Sequence, residues 1–90
     1  MVAEINTIDD VKMFAHQLLD EKLNFHPDES FENYIDSKTH LPCYSAEEAQ
    51  FRNHLMSRCF EVCDDFGVDI YEIMCDIFYE RVGFANLAQR

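Results

Sequence analysis

Three carboxylates recur four residues apart near the end of the chain: Glu72, Asp76 and Glu80. On a helix this spacing places them in one row, which we call the acidic row. A row of anions is suited to docking a basic surface, with binding that weakens as salt rises. The same spacing is typical of a solvated stripe, because charged residues usually remain exposed after a helix buries its apolar face. The acidic row is therefore the candidate partner-binding site, with plain solvation as the alternative.

A second group contains residues that bind metals or act as nucleophiles, namely His40, Cys43, Cys59 and Cys63. One imidazole and three thiolates would make a zinc ligand set. However, Cys59 and Cys63 fall within an apolar stripe, where free cysteine usually packs as a small hydrophobic residue. We therefore expect no metal and no cofactor. A metal- or thiol-dependent protein that uses Cys43, Cys59 and Cys63 is kept as an alternative.

Other catalytic patterns fail on spacing. The acidic stretch around Gly67 resembles a calcium loop, but with this glycine at the sixth position the first and last ligands would be Val62 and Ile73. The chain has no glycine-rich phosphate loop, nucleophile elbow or paired-histidine motif. No catalytic residue is identified, and we predict that the protein is not an enzyme.

Helices must position these residues. Apolar residues at helical spacing predict main helices at about 8–23, 46–66 and 70–82, with a short helix at about 27–36. Thr7, Ser45 and Asp69 are suitable N-caps for the main helices, and Gly67 suits the left-handed end of the second. No stretch alternates between apolar and polar residues as a strand does. The predicted fold class is all-α, a compact helical bundle with mixed crossing angles.

The third main helix is apolar around most of its circumference, so we predict that the other helices surround it. Ile73 and Ile77 should then be almost wholly buried. If the bundle leaves Tyr71, Cys75 and Tyr79 uncovered, they would form an exposed apolar patch of the kind that marks an interface, and a homodimer would be the simplest way to cover it. Beyond this helix, Phe84 and Leu87 are expected to fold back onto the bundle.

Length and charge narrow the functional classes. The 90 residues suffice for a single helical domain, predicted to span 1–90. The net charge is −11, and the acids are spread evenly: residues 1–45 hold nine acids and three bases, and residues 46–90 hold nine and four. Direct binding to nucleic acid or an anionic membrane is disfavoured, because their phosphates would be repelled. The amino end resembles no signal peptide, so a cytoplasmic protein with reduced thiols is expected.

The leading hypothesis is a small acidic intracellular protein that acts as a protein-protein interaction or regulatory module. Its partner would be a protein, with a basic surface as the natural complement, or a second copy of the chain. One alternative is an inhibitor that mimics nucleic acid by presenting carboxylates to a DNA- or RNA-binding protein. The metal- or thiol-dependent protein is the other.

Overall fold

The fold is all-α, as the sequence predicts. A computed structural model describes residues 2–21, 26–36 and 38–83 of the chain. Its helices are α1 (Ile8–Asp20), α2 (Ala46–Asp65) and α3 (Ile70–Phe78), and α3 continues into a π-helical turn at Tyr79–Gly83. A 3-10 turn at Phe31–Asn33 lies between α1 and α2. Within the described ranges there is no β-strand, only an isolated bridge between Ile35 and Pro42.

Local capping starts the helices at the predicted positions. The Thr7 hydroxyl accepts from the backbone N–H of Asp10 at 3.2 Å, and the Asp10 carboxylate accepts from the N–H of Thr7 at 3.1 Å. Ser45 and Glu48 form the same reciprocal box at the start of α2. Asp69 caps α3 by accepting from the N–H of Tyr71 at 2.9 Å. Between α2 and α3, Gly67 takes the left-handed conformation with φ of 66°, as predicted.

The short helix predicted at 27–36 is reduced to the single 3-10 turn. Its last residues turn into an extended loop, in which the N–H of Cys43 donates to the carbonyl of Tyr34 at 2.8 Å. The N–H of Asp36 likewise donates to the carbonyl of Leu41 at 2.8 Å. The Asp36 carboxylate accepts from two backbone N–H groups ahead of it, a local bond that competes with helix formation. Helix α1 ends at Asp20, three residues before the predicted end. Residue 23 lies outside the described residues, as do Phe84 and Leu87, whose packing onto the bundle stays a prediction.

The core is built around α1 and α2. Phe14 and Cys59 are completely buried, and Phe31 packs on Phe14 with ring centroids 6.4 Å apart. Helix α3 covers one side of this core with the buried side chains Ile70, Ile73, Met74 and Ile77. Ile73 and Ile77 are 8% and 4% exposed, which confirms their predicted burial.

The prediction that α3 is surrounded is wrong. Tyr71, Phe78 and Tyr79 are 40%, 39% and 65% exposed, and Cys75 is exposed as well. The physical reason is geometric: α1 and α2 pack against α3. On its outward side the described contacts are local, with His26 and Asp28 meeting the helix at Tyr71. Helix α3 therefore covers one side of the core, and its outward side carries exposed apolar side chains.

A partly buried ion pair joins the end of α1 to α2. The Arg52 side chain is 6% exposed and donates to both carboxylate oxygens of Glu21, at 2.6 and 3.3 Å, while the Glu21 side chain is 28% exposed. The Tyr44 hydroxyl donates to the same carboxylate at 3.0 Å, and its ring centroid lies 4.0 Å from the guanidinium carbon. Burial, together with this carboxylate, raises the pKa of Tyr44. We call Arg52, Glu21 and Tyr44 the Arg52 clasp; it secures the end of α1 against α2 and the loop before it.

Candidate functional site

The outward side of α3 forms one wall of an apolar groove of about 500 Å³. The opposite wall comes from Leu19 in the last turn of α1 and from His26 and Pro27. The groove is lined by Leu19, His26, Pro27, Tyr71, Met74, Cys75, Phe78 and Tyr79. We call these residues the α3 groove. Its size lies within the range of pockets that bind ligands or partner side chains.

Polar contacts fix one end of the α3 groove. The Tyr71 hydroxyl donates to the carboxylate of Asp28, and this hydrogen bond raises the pKa of Tyr71. The Tyr71 ring also packs edge-on against Phe60, with centroids 6.2 Å apart. On the opposite wall, the backbone N–H of His26 donates to the Tyr34 hydroxyl at 3.0 Å. These contacts fix the positions of Tyr71 and His26 at this end of the groove.

Arg81 fixes the other end. It lies in the π-helical turn and donates to the carbonyl of His16 at 2.8 Å and to the carboxylate of Asp20. The turn thereby ties the end of α3 to the last turns of α1. Immediately before Arg81, the side chains of Phe78 and Tyr79 pack edge-on at 6.3 Å and line the groove. Single π-helical turns often occur where a helix presents functional side chains.

The acidic row runs along α3 and into the π-helical turn that continues it, beside the groove. Glu72, Asp76 and Glu80 are all exposed, and they border a second cleft of about 460 Å³ between α3 and α1. Lys12 and His16 of α1 line the same cleft. The ion pairs within the described ranges are His26–Asp28, Glu21–Arg52, Glu61–Arg58 and Asp20–Arg81, and none of them uses the acidic row. The structure thus brings the three predicted carboxylates together as a row without ion-pair partners in the described part of the chain.

The candidate metal and thiol residues are placed apart. Cys59 and Cys63 are 0% and 2% exposed in the core, whereas Cys43 and His40 are exposed on the loop before α2. Across 2–21, 26–36 and 38–83, no group of three or more His, Cys, Asp or Glu side chains is positioned to hold a metal ion. Burial raises the pKa of Cys59 to about 12 and also raises that of Cys63. Burial therefore disfavours the thiolate form of both core thiols, and the thiolate is the form that ligates metals and acts as a nucleophile.

The sequence pattern predicts only part of this site. The spacing of Tyr71, Cys75 and Tyr79 identified the outward stripe of α3. It did not identify Leu19, His26 or Pro27, which come from other segments and complete the groove. Pro27 was interpreted as the first residue of a helix. Its neighbours instead form a turn, in which the N–H of Glu29 donates to the carbonyl of His26 at 3.0 Å.

Comparison with protein-family models, with curated proteins and with solved structures finds no match for this chain. Among the described residues, no helix is both long enough and apolar enough to cross a membrane. We therefore infer function from the geometry and chemistry of the α3 surface.

Proposed function

We propose that this protein is a protein-protein interaction module that binds its partner through the α3 groove and the acidic row. The observation that carries the proposal is the exposure of an aromatic stripe along a single helix, with Tyr79 at 65%. Exposed apolar patches of this kind typically mark interaction surfaces. Tyrosine is also among the residues that contribute most to binding energy at interfaces.

The charge of the protein supports a basic partner. The net charge of −11 opposes nucleic acid and favours a surface rich in lysine or arginine. The acidic row lies next to the apolar stripe, so one partner surface can contact both. Glu72, Asp76 and Glu80 would mainly accelerate association and select the partner, while the apolar groove would contribute most of the affinity.

The same groove favours a protein partner over the nucleic-acid-mimic hypothesis. A mimic of nucleic acid presents carboxylates in place of phosphates, whereas the lining of the α3 groove is mostly aliphatic and aromatic. Only the acidic row resembles phosphate chemistry. A partner that requires the row but not the groove would therefore support mimicry.

The test compares two exposed aromatic residues. Tyr79→Ser removes a side chain that lines the α3 groove, and Phe66→Ser removes one that is 62% exposed at the α2–α3 turn and does not line it. The proteins are used to capture partners from an extract of the cells that express this chain, with folding checked by circular dichroism. We expect Tyr79→Ser to lose the captured protein and Phe66→Ser to retain it. Equal capture by both variants would contradict the proposal.

Light scattering tests the homodimer. A two-fold dimer through the α3 groove would use the same surface twice. It would also bring two acidic rows to one interface. For this reason we expect a monomeric mass across a wide concentration range. A dimer that Tyr79→Ser dissociates would show that the partner is a second copy of the chain.

A further inference from the structure

We propose that the occupant of the α3 groove is a cationic amphipathic α-helix of another protein. Its apolar side chains would enter the groove, and its lysine or arginine residues would lie against the acidic row. This inference rests on the proposed function and specifies the chemistry of the partner.

The shape of the groove favours a helix over an extended peptide. Helix α3 has nine residues, so the wall that it forms is about 13 Å long and matches two to three turns of a partner helix. Such a helix would present anchors at positions i, i+3 or i+4, and i+7. A peptide in β-strand conformation binds by pairing its backbone with a free strand edge, and α3 satisfies its own backbone groups within the helix. The groove therefore offers side-chain contacts and little main-chain pairing.

The charge pattern predicts which flank of the partner helix carries its positive charge. Tyr71, Cys75 and Tyr79 form one line along α3, and each residue of the acidic row follows one of them directly in sequence. The two lines therefore run side by side on the exposed half of the helix. A partner helix lying in the groove would have one flank over the row and would complement it with positive charge. None of the four ion pairs in the described ranges occupies these carboxylates.

Synthetic peptides test this directly. The probe is a peptide of about 18 residues, five helical turns, with leucines along one face and lysines along the adjacent flank. One control peptide has the same composition in an order that gives no apolar face. A second replaces the lysines with glutamates. Affinity is measured by fluorescence anisotropy at about 50 mM and about 300 mM salt, where screening differs strongly.

The cysteines of the chain provide an independent footprint. Cys75 is exposed and lines the groove. Cys43 is also exposed but lies outside the groove, so it serves as the control. Alkylation followed by mass spectrometry measures each site separately. The lysine peptide should slow the labelling of Cys75 and leave that of Cys43 unchanged. This measurement uses the unaltered chain and does not depend on whether a variant folds.

We expect the lysine peptide to bind at least about tenfold tighter than either control, a difference of about 1.4 kcal/mol. Tyr79→Ser should weaken it by a similar factor, whereas Phe66→Ser should not. Replacing Glu72, Asp76 and Glu80 with glutamine should weaken binding at low salt and flatten its salt dependence. The same triple variant should not weaken the binding of the glutamate peptide.

Four results would overturn the inference. Equal binding of the reordered lysine peptide would show attraction by charge alone. Equal binding of the glutamate peptide would show that the row selects nothing. Peptide binding that requires Phe84→Ser and Leu87→Ser would identify residues 84–90 of the same chain as the occupant. A dimer that the lysine peptide fails to dissociate would identify a second copy.

The same data separate this inference from the proposed function. If no peptide protects Cys75 but Tyr79→Ser still abolishes partner capture, the α3 groove binds a protein of different chemistry, and only the inference fails. If no peptide protects Cys75 and Tyr79→Ser leaves capture unchanged, both fail.

Discussion

The Arg52 clasp and the outward side of α3 differ in the burial and pairing of their charged and aromatic side chains. In the clasp, the Arg52 side chain is 6% exposed and has the Glu21 carboxylate as its partner, while the Tyr44 ring covers it. On α3, three carboxylates of the same sign stand exposed in a row, beside aromatic side chains that are also exposed. Both regions combine acidic groups with tyrosine. Within the described ranges, the carboxylate of the clasp has an ion-pair partner and the carboxylates of the acidic row have none.

This difference separates stability from binding. Removing one partner of a desolvated ion pair leaves an uncompensated charge, which destabilises the folded state. The clasp should therefore be sensitive to single substitutions. Exposed carboxylates and aromatic residues contribute little to the folded state and remain available to a partner. We therefore expect changes in the core and the clasp to lower stability, and changes on the outward side of α3 to alter binding alone.

The largest effect should come from the inward side of α3. Ile77→Ala removes a side chain that is 4% exposed and leaves a cavity, which should lower the free energy of unfolding by about 2–4 kcal/mol. Tyr79→Ala, two residues away on the outward side, is the matched control and should cost less than about 0.5 kcal/mol. Urea titration measures both. Similar losses at the two positions would show that α3 does not have distinct stability and binding sides.

A somewhat smaller loss is expected from the clasp. Arg52→Met keeps most of the side-chain volume but removes the hydrogen bonds to Glu21, so it should cost about 1–3 kcal/mol. Lys12→Met is the comparison, because Lys12 is exposed on α1 and forms no ion pair within the described ranges. Its loss should be about 0.5 kcal/mol or less. If Arg52→Met is neutral by urea titration, the clasp is not a stabilising element.

The core thiols should make stability fall in alkaline solution. Burial raises the pKa of Cys59 from 9.0 to about 12, so the folded chain holds this proton after the unfolded chain has released it. The contribution is complete below pH 9 and is lost as the pH rises from 9 towards 12. Urea titrations at about pH 8 and about pH 10.5 should show a shallower decline for Cys59→Ala than for Cys43→Ala. Equal declines would show that the Cys59 thiol is not dehydrated.

The same burial predicts which thiols react. A thiol reagent should modify Cys43 and Cys75 in the native protein, and Cys59 and Cys63 only after unfolding. Mass spectrometry after timed labelling assigns each site. Rapid labelling of Cys59 and Cys63 in the folded chain would return the thiol-dependent hypothesis to consideration, as would stoichiometric zinc found by elemental analysis.

The smallest effect on stability should come from the acidic row. Replacing Glu72, Asp76 and Glu80 with glutamine removes two like-charged pairs four residues apart, each worth a few tenths of a kcal/mol on an exposed helix (about 0.2–0.5). Stability should therefore hold or rise slightly in urea titration. Unchanged partner capture by this variant would support plain solvation of the row, and reduced capture at low salt would support docking. A variant that unfolds would refute both interpretations, because the carboxylates would then be structural.

The sequence alone determined the parts of this fold that depend on near neighbours. The capping boxes at Thr7 and Ser45 each join residues three apart, so the starts of α1 and α2 could be predicted from short stretches. The burial of Ile73 and Ile77 followed from helical periodicity. The acidic row could be located for the same reason, since spacing along a helix fixes which residues share a side.

Tertiary structure decided what depends on residues distant in sequence. The N–H of Phe31 donates to the Asn53 side chain on α2 at 2.8 Å, and the N–H of Cys43 donates to the carbonyl of Tyr34. The segment predicted as a helix at 27–36 therefore forms hydrogen bonds with residues distant in sequence. The α3 groove likewise needs Leu19 and segment 26–27 to lie opposite α3. Periodicity shows that a helix has an apolar side, but it does not show how many neighbours will cover that side. Among the described residues, α1 and α2 pack against one half of α3 and much of its other half is exposed, because a helix is covered only where another segment reaches it.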